Sequence, residues 1–259
     1  MSFKGVKNGY RHTYELITSI ALKNIKLRYK NSMLGFLWGL LNPLLFLLIF
    51  SIVFSSAFPN MENYPLYALT GIIFWTYFNS TTNQVTNSII ESAGVLKSIN
   101  IPTIVFPASS LYSSIINMFL TFIPFSVLMV YFGYRPGIEL LLIIPIIISF
   151  SVFIFGISLF LCAFNVFFRD VSMLWTGLMP ALFYSTPIAY PIEIIPAKFA
   201  LIIKLNPLYH YIKMARDVLY DNSVPDLQTV LITTALSVVT IVIGTIAFKK
   251  LEPGFISNY

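Results

Sequence analysis

Charge is what this sequence lacks most. Only 10% of its 259 residues are Asp, Glu, Lys or Arg, against roughly a quarter in a typical soluble domain. With 57% of the residues hydrophobic, the chain reads as an integral membrane protein. Cysteine is almost absent: Cys162 stands alone inside an apolar run, which excludes an internal disulfide and says nothing of redox compartment. Histidine is limited to His12 and His210, which fall on opposite sides of the membrane in the topology below, so a zinc site of the usual His-rich kind is excluded. No G-x-x-x-x-G-K-[ST] run occurs, so the chain cannot cradle ATP phosphates by that route. No metal site is expected, and nothing points to nucleic acid.

A span needs about 20 mostly apolar residues. Six such stretches are read, at about 33–58, 66–88, 107–132, 138–164, 173–191 and 228–248. The runs are continuous rather than alternating, which excludes a membrane β-barrel and predicts α-helices. Their interiors hold no Asp, Glu, Lys, Arg or His, Glu139 lying at the very start of the fourth. Ion-coupled carriers and proton relays carry such groups at membrane depth. A membrane enzyme would show converging carboxylates or a nucleophile with its base, yet Glu193, His210, Asp217 and Asp221 form no recognised spacing. That leaves a pathway without its own energy source: passive conduction, or an ATPase supplied by another chain.

Six spans put both termini on one side. With the termini inside, eleven Lys and Arg face the cytoplasm and five face outward, which the positive-inside rule favours. A basic amphipathic segment, not a cleavable leader, precedes the first span, so the N-terminus is expected to be retained. The organisation expected is a cytoplasmic amphipathic segment over residues 1–31 and a six-helix membrane domain over 32–259, with no internal repeat.

Five stretches are neither plain span nor simple loop. Residues 10–30 put Tyr14, Ile17, Ala21 and Ile25 on one helical stripe, with Lys23, Lys26 and Lys30 largely elsewhere; this is a helix lying in the membrane interface, either a surface anchor or a docking surface. The second span ends in "NSTTNQVTNS", placing Asn79, Asn83 and Asn87 on one face. Amides facing hydrocarbon would be costly, so they serve as interhelical hydrogen-bonding glue or as an uncharged lining for a polar solute. Residues 91–107, "ESAGVLKSINIPTIVFP", predict a short helix around 89–98 and then an extended stretch. The segment from Tyr190 to Tyr220 is cut by Pro191, Pro196 and Pro207 into short helical pieces, a headgroup-level anchor or an external lid. Between spans four and five, "NVFFRDVS" (165–172) sets Arg169 beside Asp170, as one more positive-inside anchor or as a polar grip for a partner.

Together "LRYKNSMLGFLWGLLNPLL" (27–45), "NSIIESAGVLKSINIPTIVFP" (87–107), "NVFFRDV" with "TPIAYPIEIIP" (186–196), and "LNPLYHYI" (205–212) resemble the membrane subunit of type-2 ABC exporters for cell-surface polysaccharides. These are the permeases for O-antigen, capsule and teichoic acid, and the likeness runs in order along nearly the whole chain. It implies an exporter of a lipid-linked polysaccharide, O-antigen foremost, in the bacterial inner membrane among its lipids. It also implies a homodimer docked on a separate ATPase subunit that binds ATP and Mg, with no cofactor in this chain. By the same resemblance Tyr14, Ile17, Lys23 and Lys26 belong to an interface helix. Glu91, Leu96, Lys97 and Asn100 form a coupling helix region between spans two and three, with Arg169 and Asp170 on the same surface. Tyr190, Ile194, Tyr209 and Lys213 belong to short outer gate helices, re-entrant or interfacial, between spans five and six. Sugars stack on aromatic faces and bond through hydroxyls, so Trp38, Phe74, Trp75, Tyr77, Phe78, Phe183 and Tyr184, with Asn79 and Asn83, are the candidate pathway. The alternatives left open are an ABC permease for teichoic acid, capsule, lipid or drug, and a passive channel or membrane enzyme.

Overall fold

Backbone entering lipid must satisfy its own hydrogen bonds, and this chain does so with helices. The computed structural model describes residues 3–30, 37–54, 58–59, 61–98, 101–134 and 137–255. Among these residues there are ten α-helices and no strand: α1 (Phe3–Tyr29), α2 (Leu37–Phe54), α3 (Tyr64–Glu91), α4 (Ala93–Ser98), α5 (Val105–Tyr131), α6 (Ile143–Phe167), α7 (Asp170–Ser185), α8 (Ala197–Leu205), α9 (Pro207–Leu219) and α10 (Leu227–Leu251). Single 3-10 turns precede α6 and α8 and follow α10.

Three helical stretches are long and apolar enough to cross a membrane: Val105–Tyr131, Ile138–Phe167 and Leu227–Gly254. The other three expected spans depart from that simple form for local reasons. α2 is apolar but its described part is only 18 residues. α3 has the length, at 28 residues, but its second half carries the Asn and Thr run. α7 stops at Ser185 after 16 residues, so the expected fifth span over 173–191 is not one helix: residues 186–191, "TPIAYP", leave the helix between two prolines, and proline cannot continue the backbone ladder. The short helix expected around 89–98 is present, α3 running to Glu91 and α4 covering Ala93–Ser98.

α6 and α10 pair along their length, α3 lies against α5 and α6, and α9 wedges against α3, α6 and α10. α1 runs beside α5, α2 rests on α3 and α5, and α7 on α3 and α6. Glycine sets the closest approach. A Cβ on Gly156 would stand 2.3 Å from the Thr240 carbonyl carbon, and one on Gly244 would stand 2.0 Å from the Gly156 oxygen. Small residues at such crossings let membrane helices meet backbone to backbone. Ser149 and Ser237 continue the seam, their hydroxyls 3.0 Å apart.

The main core is aromatic. Phe150 and Phe153 lie 4.8 and 4.9 Å from the Tyr211 ring, and Phe74 lies 5.5 Å from Phe150. These rings share the interior with Tyr77 and Phe78. A smaller apolar cluster of Ile89, Leu96, Phe106, Leu159, Cys162, Phe248 and Phe255 closes one end of the bundle.

Candidate functional site

The end closed by that smaller cluster gathers the charged residues and those expected to couple to a partner. α1 contributes Ile20 to the cluster and Ala21, which is fully buried. Of the expected stripe, Ile17 and Ala21 face the bundle with Ile20, and Tyr14 is 63% exposed. Lys23 and Lys26 are both exposed. Lys23 and Arg28 of α1, Gln84 and Glu91 of α3, and Ser109 and Ser110 of α5 line an open groove of about 540 Å³. Arg28 reaches across it to donate to the Gln84 side-chain oxygen. Partial burial pushes the Glu91 carboxyl above its ordinary value.

Within α4, Leu96 is the buried anchor and Lys97 the exposed neighbour; Asn100 lies outside the described residues. Arg169 sits at the N-cap position of α7 and Asp170 in its first turn, both exposed. An acid at a helix N-terminus complements the dipole there.

Between this end and the middle of the bundle runs a column of amides. Asn83 donates to the Asn79 side-chain oxygen at 2.8 Å, and Thr176 of α7 donates to the Asn83 oxygen at 3.2 Å. Asn165, near the end of α6 and fully buried, is the junction. Its amide donates to the Thr86 carbonyl at 3.2 Å and to the Asn87 oxygen at 3.1 Å. Its own oxygen accepts from the Ser172 backbone N–H at 3.1 Å. That N–H is one of the donors a helix leaves without an intrahelical partner at its start. One side chain therefore ties the "FFRD" turn to the asparagine face of α3. Sequence reading nominated the asparagine face and the turn; it missed Asn165, whose partners Thr86 and Asn87 lie far along the chain.

The candidate pathway residues divide by burial. Phe74, Tyr77 and Phe78 are enclosed in the aromatic core, Tyr77 bonding Ser151 at 2.7 Å. Their surfaces meet neighbouring rings, which is a packing role in this chain. Trp75 stands at the edge of that core, 5.2 Å from Phe183. Phe183 in turn lies 6.1 Å from Phe50, within a ladder of rings at Phe46, Phe50, Phe54 and Phe58. The i, i+4 repeat of phenylalanine was the available signal for this ladder. Trp38 and Tyr184 are open, at 50% and 74% exposure. Asn79 and Asn83 are half-buried, with the exposed Thr176 beside them.

At the opposite end the non-helical "TPIAYP" segment is held by side chains. Arg216 of α9, only 7% exposed, donates to the Pro187 carbonyl at 2.7 Å and also to that of Ile188. Tyr64 donates to the Ala189 carbonyl at 2.8 Å and Tyr67 to the Tyr190 carbonyl at 3.2 Å. Four consecutive carbonyls are thus satisfied without a helix, as irregular backbone in a membrane protein requires. Arg216 also stacks on the Tyr67 ring, 3.6 Å from its centroid, a cation–π contact. Gly71 makes room: a Cβ there would lie 2.3 Å from the Ile188 oxygen. Asn206 caps α9 at the Leu208 N–H, 3.0 Å, and donates to the Thr186 hydroxyl at 2.7 Å. Sequence reading had counted Arg216 only as an outward cation.

The expected gate residues surround this clamp. Tyr190 donates to the Tyr184 carbonyl at 2.7 Å, and Ile194 is 56% exposed. Tyr209 and Lys213 line a cavity beside Arg216. Lys213 bridges Asp217, at 3.4 Å, and Asp226. Asp226 also caps α10 by accepting from the Thr229 N–H at 2.7 Å. The Lys213 bond and that cap hold the Asp226 carboxyl well below the usual carboxylate range.

An all-helical bundle with apolar crossing helices, a charged end built around α1 and α4, and a side-chain-held loop at the other end defines a membrane transport subunit. The chain belongs to the ABC-2 type transporter family, whose model matches residues 15–220. Among its relatives is an O-antigen export system permease protein RfbA from Klebsiella pneumoniae, 34% identical over 98% of both chains. A protein of the same name from Myxococcus xanthus is 27% identical over 93% of this chain and 94% of its own. The polysialic acid transport protein KpsM of Escherichia coli is more distant, 20% identical over 97% and 99%.

Proposed function

We propose that this chain is the permease subunit of an ATP-driven O-antigen export system, passing a lipid-linked polysaccharide outward across the inner membrane. The observation that carries it is the end-to-end similarity to O-antigen export permeases, 34% identical over 98% of each chain. Membership of the ABC-2 family supports an ATPase on a separate chain, which brings the ATP and Mg this subunit does not bind. Two copies of the permease form the pathway. Exposed apolar surface on α2 and α7, such as Ile52, Met173 and Leu174 at 70–73%, supports burial of those faces by lipid or the second copy.

In this reading α2, α3, α5, α6, α7 and α10 are the six spans, and both termini are cytoplasmic. The end carrying α1, α4 and the Arg169–Asp170 turn then faces the cytoplasm and receives the ATPase. The end carrying the Arg216 clamp faces outward. Export proceeds along the α2–α7 side, where Trp38, the Phe46–Phe58 ladder, Phe183 and Tyr184 offer ring faces and Asn79 and Asn83 offer amides. Such a wall has no fixed charge to trap a polymer, which suits threading.

The test is co-purification of the tagged chain from a host expressing its neighbouring genes, with an ATPase assay on the product. A stoichiometric ATP-hydrolysing partner, and loss of surface polysaccharide on deletion of the chain, are expected. A chain that purifies alone, with the polymer still displayed after deletion, would reverse the assignment toward conduction or enzymology.

A further inference from the structure

Beside the Arg216 clamp lies a cavity of about 300 Å³, at the small end of ligand-pocket sizes. Three tyrosines, Tyr67, Tyr209 and Tyr220, contribute to its wall, together with the rings of Pro187 and Pro191. Tyr67 and Tyr220 meet edge to face, 5.4 Å between centroids. Tyr67 is fixed from its other face by Arg216, so its position is set before any ligand arrives. The polar groups around the cavity are unevenly occupied. Lys213 is taken up by Asp217 and Asp226, and two Arg216 nitrogens by carbonyls. The Glu193 and Asp221 carboxylates stand exposed at its rim and Tyr209 is half-buried, while the buried Arg216 Nε has no hydrogen-bond partner among the described residues.

We propose that this cavity binds one uncharged sugar unit of the exported polymer. The inference rests on the export reading above and adds to it a ligand class and a place.

The chemistry of the wall selects the ligand. Free carboxylate oxygens accept hydrogen bonds and need hydroxyl donors, several of them close together, as the edge of a pyranose presents. Tyrosine and proline rings offer flat apolar surface to the C–H face of the same ring. An apolar chain would leave the carboxylates without donors, at a desolvation cost. A phosphate, uronic acid or sialic acid would face Glu193, Asp217 and Asp221, with Lys213 already engaged and only the buried Arg216 Nε left to receive it. Partial desolvation raises the Asp217 and Asp221 carboxyls above their ordinary values, with Asp217 adding to the Asp221 shift and Arg216 and Lys213 opposing it.

The experiment is saturation-transfer NMR on the detergent-solubilised permease with its ATPase partner. The probe is the repeat oligosaccharide released by mild acid from the host's own surface polysaccharide, with excess inorganic phosphate as competitor. Transfer to sugar ring protons is expected with the wild type and with Lys198→Ala, which lies outside the cavity. It should fall by about fivefold or more, the fold-change of a lost polar contact, in both Tyr209→Ala and Asp221→Asn; the exposed Asp221 position guards against a folding artefact. Phosphate should not compete. Equal transfer in wild type and both variants, no transfer at all, or displacement by phosphate would overturn the proposal. Deletion of the chain is scored separately. Surface polymer retained after deletion removes the export reading itself, whereas polymer lost on deletion with unaltered transfer in the variants removes the cavity alone.

Discussion

Replacing Asn165 by Leu keeps the side-chain volume and deletes a junction. Two interhelical bonds disappear, to Thr86 at 3.2 Å and Asn87 at 3.1 Å. Such bonds in membrane proteins average about 0.6 kcal/mol and reach about 1.7, so the pair is worth roughly 1–3 kcal/mol. The third bond, from the Ser172 N–H at 3.1 Å, acts as a cap on α7, worth about 1 kcal/mol. The total, about 2–4 kcal/mol, is to be read as loss of thermal stability of the purified chain. If the same three bonds hold the Arg169–Asp170 turn in register with α3, the registered arrangement becomes less populated by about thirtyfold at 2 kcal/mol. Polymer export by the reconstituted transporter should then fall by a similar factor while basal ATP hydrolysis persists. Asn165→Ser, which retains one donor and acceptor, should restore part of it. Reduced stability with full export would refute the positioning role and leave the amides as glue. Unchanged stability would refute the network itself.

Charge reversal at Arg169 or Glu91 should weaken polymer-linked ATP turnover with membrane insertion intact; unchanged turnover in both variants would exclude these residues from coupling. The Asn79→Leu/Asn83→Leu double variant should reduce export without abolishing ATP hydrolysis, scored as surface polymer per ATP consumed. Gly244→Val should force α6 and α10 apart, since even a Cβ meets the Gly156 oxygen at 2.0 Å, and the yield of folded protein in size-exclusion chromatography should collapse. Asp226, whose native pKa is depressed, contributes stability above its unfolded value near 3.9, lost as pH falls through the native value. Melting temperature should therefore decline on acidification below about pH 4, and less so in Asp226→Asn, which keeps a cap but not the ion pair.

The helical class and the short helix after α3 were legible because they follow from local rules. Apolar runs of span length allow little but helix, and Ala93–Ser98 emerges as α4 between Ser92 and the prolines that follow. The asparagine face was equally legible, since a four-residue spacing fixes a shared side. Its satisfaction was not, because Asn165 and Thr176 reach it from helices far along the chain. Burial of Phe74, Tyr77 and Phe78 escaped for a related reason: hydropathy distinguishes lipid from water but not lipid from protein, so an aromatic facing a sugar and one facing Phe150 look alike. Arg216 was misjudged because a cation in a polar-looking segment is ordinarily solvated. The Pro187 and Ile188 carbonyls of "TPIAYP" and the Tyr67 ring, absent from any side-chain pattern, explain its burial. The shortfall in α7 has the same origin.

The clamp on that segment also imposes an order on synthesis. Tyr64 and Tyr67 leave the ribosome long before residues 187–190, so half of the carbonyls have partners waiting. The other half wait for Arg216, 29 residues after Pro187, a delay of roughly 1.5–6 s at bacterial elongation rates of about 5–20 residues per second. During that interval Pro187 and Ile188 must keep their carbonyls hydrated, so the loop cannot settle until α9 has been made. A nascent chain halted between α7 and α9 therefore holds the segment by its two tyrosines alone, and the arginine completes the set.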